Sequence, residues 1–294
     1  MNLLAPLVPV AQAGADAAPA PLLDLSWGVW AVAGAYLVLV AVGLLADGVL
    51  ATVWAGRSGR WERYAGAIPL RAWSGRDASP LLALLGAFYI AGAFLQPPEE
   101  NTAWVVSQGL LLQLGGLAFV VYSLRRRRLS WADAFGLRWR GFARHAATGV
   151  VFYLAAMPFL AFYSIIYQLF LRSIGFEILP QEVAVVFARE PSFWMRLYFL
   201  SLAVVVAPVF EEVLFRGIGL PLLARRLGLI PGVLALSAIF ALVHGNVASL
   251  APLFVIAVAF SLGYIYSGSL AVPIVMHAAF NAVNLVLLMV MSEV

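Results

Sequence analysis

The stretch PVFEEVLFRG, residues 208–217, sets Glu211, Glu212 and Arg216 between runs of Leu, Val, Phe and Ala. Glu212 and Arg216 are four residues apart, which puts them on one helical face where they can pair. Glu211 is rotated by about 100° from Glu212 and points elsewhere. One carboxylate can thus be held by the guanidinium while the other is left for chemistry. His277 and Asn281 in HAAFN repeat the four-residue spacing, so an imidazole and a carboxamide share a face. His244 in FALVHG follows Phe240 by one turn and precedes Gly245, which allows close helix approach. A carboxylate with an imidazole can shuttle a proton on and off water. A neutral imidazole and an amide N–H can donate to a developing oxyanion, each donor lowering a barrier by roughly 2.7–4 kcal/mol. No covalent nucleophile is needed: there is no Cys, and no Ser in a GxSxG elbow.

Each of these groups also has a plain structural reading. A Glu–Arg pair at this spacing commonly serves packing, and a lone His in an apolar helix is as often a hydrogen bonder between helices. Asp47, in the first apolar run, reads as a structural or near-interface contact and is left out of the site. The set carries more weight than its members, because an ionisable residue at membrane depth costs roughly 2.5 kcal/mol or more at a helix centre. Two of the three His fall inside apolar runs, in the same half of the chain as the double Glu.

The elements that must position these groups follow from composition. Of 294 residues, 64% are hydrophobic and only 11% charged, too little charge for a soluble surface of this size. Apolar runs near residues 27–55, 80–96, 102–124, 146–171, 194–220, 230–248, 250–267 and 270–291 approach or exceed the roughly 20 residues that cross a bilayer core. The expectation is an all-α, polytopic membrane protein of about eight transmembrane helices, in one membrane domain. Residues 1–145 would supply a tail, three helices and basic loops, and residues 146–294 a five-helix core.

All eighteen basic residues are Arg, and fourteen lie in three links: 57–79, 125–145 and the pair Arg225–Arg226. Placing those links in the cytoplasm satisfies the positive-inside rule and puts both termini outside it. The net charge of +4 therefore reports orientation, and no nucleic-acid partner is expected. The absence of Lys with abundant Ala suggests a GC-rich bacterial source and hence the cytoplasmic membrane. Zero Cys excludes disulfides and Cys-ligated metals. Ala11-Gln12-Ala13 resembles a signal-peptidase site, but without a basic n-region the N-terminal stretch reads as a tail. Segment 129–145 mixes Trp, Phe and Arg as an interfacial segment would, and the link 172–193 is long enough for a short interfacial helix.

In order and spacing, Glu211-Glu212-x-x-x-Arg216, Phe240-x-x-x-His244 and His277-x-x-x-Asn281 resemble the three-motif signature of the CPBP family. These are the CAAX-prenyl-protease-like and bacteriocin-processing intramembrane endopeptidases, also called Abi, and the resemblance covers roughly residues 195 to 291. It implies peptide-bond hydrolysis within the membrane on a membrane-associated protein or peptide. It further implies that Glu211 and His244 activate a water, that His277 and Asn281 stabilise the oxyanion or hold the water, and that Glu212 with Arg216 supports them. A metal-free site is favoured. The alternative is a zinc held by Glu211, His244 and His277, against which stand the missing HExxH and the poor ligand quality of Asn. A proton-coupled transporter using the same residues and a non-catalytic scaffold of the same fold are the competing functions, and the oligomeric state is undetermined. One geometric demand is specific. Counted from the cytoplasmic helix ends, His244 lies about 14 residues in but Glu211 only about 9 and His277 about 7, an offset of roughly 10 Å that tilt or a deeper helix start must absorb.

Overall fold

The computed structural model describes residues 27–55, 73–94, 102–178 and 192–292, with Phe187 and Glu190 between. The N-terminal tail, most of the first arginine-rich link, half of the 172–193 link and the chain ends lie outside the described residues. Among those described, the chain is helical and contains no strand. A segment surrounded by lipid must satisfy its backbone polar groups internally, and helices do so within one segment.

The helices are α1 (Trp27–Ala55), α2 (Gly75–Phe94), α3 (Thr102–Arg127), a short α4 (Trp131–Phe135) and α5 (Phe142–Ser173). They continue with α6 (Phe193–Leu227), α7 (Leu229–Val243), α8 (Leu250–Ser267) and α9 (Ala271–Ser292). Five of the helices contain stretches long and apolar enough to cross a membrane: Ala33–Thr52, Phe142–Ser173, Phe193–Leu227, Val247–Ser267 and Ala271–Met289. The other three expected spans are helical in the right places but fall short of that standard. Helix α2 opens on Arg76 and Asp77 and carries Pro80. Helix α3 carries Gln108 and Gln113 and ends on Arg125, Arg126 and Arg127. Helix α7 is apolar throughout but only 15 residues long.

Helix α8 is the most enclosed span, with 44% of its apolar window buried, whereas α1 on the rim has 6%. Leu37, Leu45 and Val49 on α1, with Phe162 and Ile165 on α5, face outward. Such an apolar exterior is what lipid contact requires. Close approach between α5 and α9 depends on Gly149, where a Cβ would stand 2.8 Å from the Val272 carbonyl oxygen and 2.9 Å from Val275. Small residues at such contacts let spanning helices pack where the hydrophobic effect gives no drive.

Helix α6 is not uniform. Its α-helical turns are interrupted by π-helical stretches at Leu202–Val206 and Val213–Gly219. Each stretch is followed within two residues by a proline, Pro208 and Pro221. A proline has no N–H to give the carbonyl four residues back, so the ladder must shift locally. The two shifts bracket Ala207–Glu212, the turn that carries both glutamates.

The link between α3 and α5 is ordered by a capping box. Ser130 Oγ accepts from the Asp133 N–H at 3.1 Å, and Asp133 Oδ2 accepts from the Ser130 N–H at 3.3 Å. The short helix that results delivers Phe135 inward, where it stacks on Trp73 with 5.6 Å between ring centroids. Phe135 is fully buried against Gly217, where a Cβ would lie 2.7 Å from its ring. Its carbonyl also accepts the Leu270 N–H at 3.0 Å, just before α9 begins.

Candidate functional site

The middle of α6, the end of α7, the centre of α8 and the second turn of α9 meet at one polar cluster inside the bundle. Arg216 is fully buried and organises it. Its Nη1 donates to Glu212 Oε1 at 2.8 Å, and its Nη2 donates to the Ala257 carbonyl at 2.9 Å. Its Nε donates to Ser261 Oγ at 3.4 Å, and that hydroxyl donates onward to Ala257 O at 3.0 Å. Aromatic rings close the remaining directions, with the guanidinium carbon 4.7 Å from the Phe240 centroid and 5.1 Å from that of Phe260. The guanidinium thus has a counter-charge, a carbonyl and two ring faces. These are the partners that make a buried cation tolerable.

Glu212 is equally buried, and its Oε1 serves two donors. Besides Arg216 it lies 2.9 Å from His277 Nδ1 on α9. Because a carboxylate only accepts, the His277 proton on that side sits on Nδ1 and donates to Glu212. The ring is clamped flat by Phe260, 4.9 Å between centroids at 24°. His277 Nε2 is therefore aimed away from Glu212, and it lies 3.8 Å from Glu211 Oε2. Glu211 Oε2 accepts no hydrogen bond from the described residues, although it is buried, while the side chain as a whole keeps 23% of its exposure.

His244 follows the last residue of α7, where Gly245 with φ of 66° turns the chain out of the helix. Its Nδ1 lies 2.7 Å from the Phe240 carbonyl. A carbonyl accepts, so Nδ1 is the protonated nitrogen and Nε2 carries the lone pair. Phe240 is the hub between the two imidazoles, 4.7 Å from the His244 ring and 5.8 Å from that of His277. Asn281, one turn beyond His277, donates from Nδ2 to the Ala203 carbonyl at 2.7 Å, inside the first π stretch of α6.

The structure therefore gathers Glu211, Glu212, Arg216 and His277 into one contact network, with Asn281 bound to the same α6 at Ala203, about two turns before Glu211. His244 is bonded to its own helix and packs on Phe240, whose ring also meets His277. The six groups also divide by exposure: Glu212, Arg216 and His277 are buried, whereas Glu211, His244 and Asn281 are partly exposed. The buried three are fixed by one another and by rings. The other three keep part of their surface outside the packed cluster.

Two contributions had no place in the sequence reading. Helix α8 supplies Ala257 O, Phe260 and Ser261 to the arginine and His277, yet it carries no Asp, Glu, His, Lys or Arg. A visible signal is Ser261, a hydroxyl that follows eleven residues without one. The π stretches were likewise unforeseen, although Pro208 marks the first. As for a zinc at Glu211, His244 and His277, the described residues form no group of three or more His, Asp or Glu side chains that could hold a metal ion.

Residues 192–283, which contain all six groups, match the family model described as Type II CAAX prenyl endopeptidase Rce1-like. No curated protein matches the chain, and no solved structure does.

Proposed function

The segment 192–283 is an Rce1-like domain of the CAAX-protease-like family, and from that premise we propose that this membrane protein is an intramembrane endopeptidase. It hydrolyses peptide bonds of membrane-associated proteins or peptides by a water that protein groups activate. The single observation that carries the reading is Glu211 Oε2, a buried carboxylate oxygen that accepts no hydrogen bond from the described residues and lies 3.8 Å from Nε2 of an oriented imidazole.

The chemistry divides along the exposure boundary. Glu211 takes a proton from water as the water oxygen attacks the scissile carbonyl carbon. His244, with its lone pair on Nε2, accepts from the same water and aims it. The carbonyl oxygen becomes an oxyanion. Asn281 has one amide N–H committed to Ala203, and its second N–H is the donor offered to that charge. His277 donates there while its Nε2 holds the proton taken from water, which Glu211 is close enough to pass across and takes back before the intermediate collapses. Collapse of the tetrahedral intermediate breaks the C–N bond, and the proton held by Glu211 goes to the leaving amine. Glu212 and Arg216 touch no reacting atom in this scheme. They hold the His277 ring in its tautomer and orientation, as a buried carboxylate does for a catalytic imidazole elsewhere.

The same reading takes the eight apolar helices as eight spans and residues 146–294 as the core. It faces the arginine-rich links to the cytoplasm, with both termini on the other side of the cytoplasmic membrane.

The test is cleavage of a membrane-tethered peptide by purified protein in proteoliposomes. Glu211→Gln and His244→Ala should each abolish cleavage while circular dichroism and elution volume stay those of the wild type. Cleavage at the wild-type rate by either variant refutes the assignment. A proton-coupled ion flux without proteolysis would favour the transporter instead.

A further inference from the structure

The link between α3 and α5 is unlike the rest of the exterior. Arg125–Arg128, Arg138, Arg140 and Arg144 are all exposed, and Asp133, the lone acid among them, is engaged by Ser130 in the capping box. Trp139 projects at 92% exposure, stacked at 6.1 Å on a half-exposed Phe142. A tryptophan displayed in this way between arginines matches no demand of the fold. It does match the headgroup layer, where an amphipathic ring sits between water and chains while guanidinium groups bind phosphate.

The link is nevertheless rigidly rooted. Two residues after Asp133, Phe135 is wedged under Trp73 and against Gly217, the residue after Arg216, and its carbonyl holds the Leu270 N–H. Whatever grips the arginines therefore bears on α6 just beyond the glutamates and on the start of α9, which carries His277.

We propose that residues 125–144 form a binding surface for anionic phospholipid headgroups, and that lipid held there clamps Phe135 against the site-bearing helices. The occupant is argued from charge complementarity and from the exposed indole at the same edge. The inference rests on the orientation above, with this link on the arginine-rich face, and not on the hydrolytic reading.

The experiment reads no hydrolysis, so its failure and that of the protease assignment are distinguishable. The full chain is reconstituted in mixed phosphatidylglycerol and phosphatidylcholine vesicles with one or the other lipid brominated. The Trp139 emission is taken as the difference between wild type and Trp139→Phe. Brominated phosphatidylglycerol should quench it more strongly than brominated phosphatidylcholine. The variant R125Q/R126Q/R138Q/R140Q should lose the preference, at about fivefold in lipid affinity per arginine. The matching Arg→Lys variant, which keeps the charge, should retain it and so guards against simple misfolding. Hydrogen exchange across Val213–Gly219 should be slower in phosphatidylglycerol than in phosphatidylcholine for the wild type but not for the Gln variant. Equal quenching by the two lipids, or a preference that survives the Gln substitutions, overturns the surface. A preference erased by inorganic phosphate alone reassigns the surface to a soluble anion and also overturns it. Exchange independent of lipid overturns the clamp.

Discussion

Replacing Arg216 by Met tests the buried network most sharply. Methionine fills much of the same length between Phe240 and Phe260, so little cavity is left, and what is removed is the counter-charge of Glu212. That carboxylate is fully buried and then keeps only the His277 N–H at 2.9 Å. Stripping one partner from a buried pair costs about 3–5 kcal/mol. Glu212→Gln makes the converse lesion, leaving a buried guanidinium with the Ala257 carbonyl and two rings, and its cost is of the same order. The double variant E212Q/R216M has no unpaired charge, and its glutamine carbonyl still accepts from His277 Nδ1. It should therefore lose about 2–3 kcal/mol less than the two single losses added together. Equilibrium unfolding in mixed micelles, followed by circular dichroism, gives all three values. Additivity within about 0.5 kcal/mol refutes the reasoning. So does an R216M protein within about 1 kcal/mol of wild type, the size of a surface pair.

The remaining predictions concern single contacts. Asn281→Leu should lower kcat by about 10²–10³ through loss of an oxyanion donor, while the loss of its bond to Ala203 O costs stability only about 0.5–1.5 kcal/mol. A variant that cleaves normally assigns Asn281 to packing alone. Gly217→Val should drive a side chain into the Phe135 ring and destabilise by about 1–3 kcal/mol, and Phe135→Ala in the same chain should recover part of that loss. If the second substitution adds to the damage, the wedge is misplaced. Exhaustive dialysis against a chelator should leave proteoliposome cleavage unchanged, since the proposed mechanism uses protein groups and water. Loss of activity restored by zinc would bring His244 and His277 back as ligands.

The helices were legible from hydropathy because a lipid-facing helix must be apolar over most of its length, and α1, α5, α6, α8 and α9 meet that condition without help. Helix α7 marks where the method blurs. Its apolar run extends past the helix to about residue 248, but Gly245 and the Asn246-capped turn Val247–Ser249 end the helix at Val243. The Glu212–Arg216 pair was legible because i,i+4 spacing survives the local π distortion. The bond from Glu212 to His277 was not, since 65 residues separate them and neither motif encodes the other's rotation. Nor could spacing show that Asn281 spends one amide hydrogen on the Ala203 carbonyl, a group exposed to it by the first π stretch. The role of α8 stayed hidden for a related reason: it contributes a backbone oxygen and an aromatic face, which hydropathy counts as ordinary core.

Because the chain has no native Cys, the shared pocket can be measured directly. Glu211 and His244 are replaced by Cys together and separately, in membranes, and treated with a bifunctional thiosulfonate just long enough to bridge one water-filled gap. The account predicts that each single Cys reacts with a monofunctional reagent and that the pair is cross-linked within one chain. If both thiols react singly and no bridge forms, Glu211 and His244 do not address the same water, and the activation step proposed for this site is wrong.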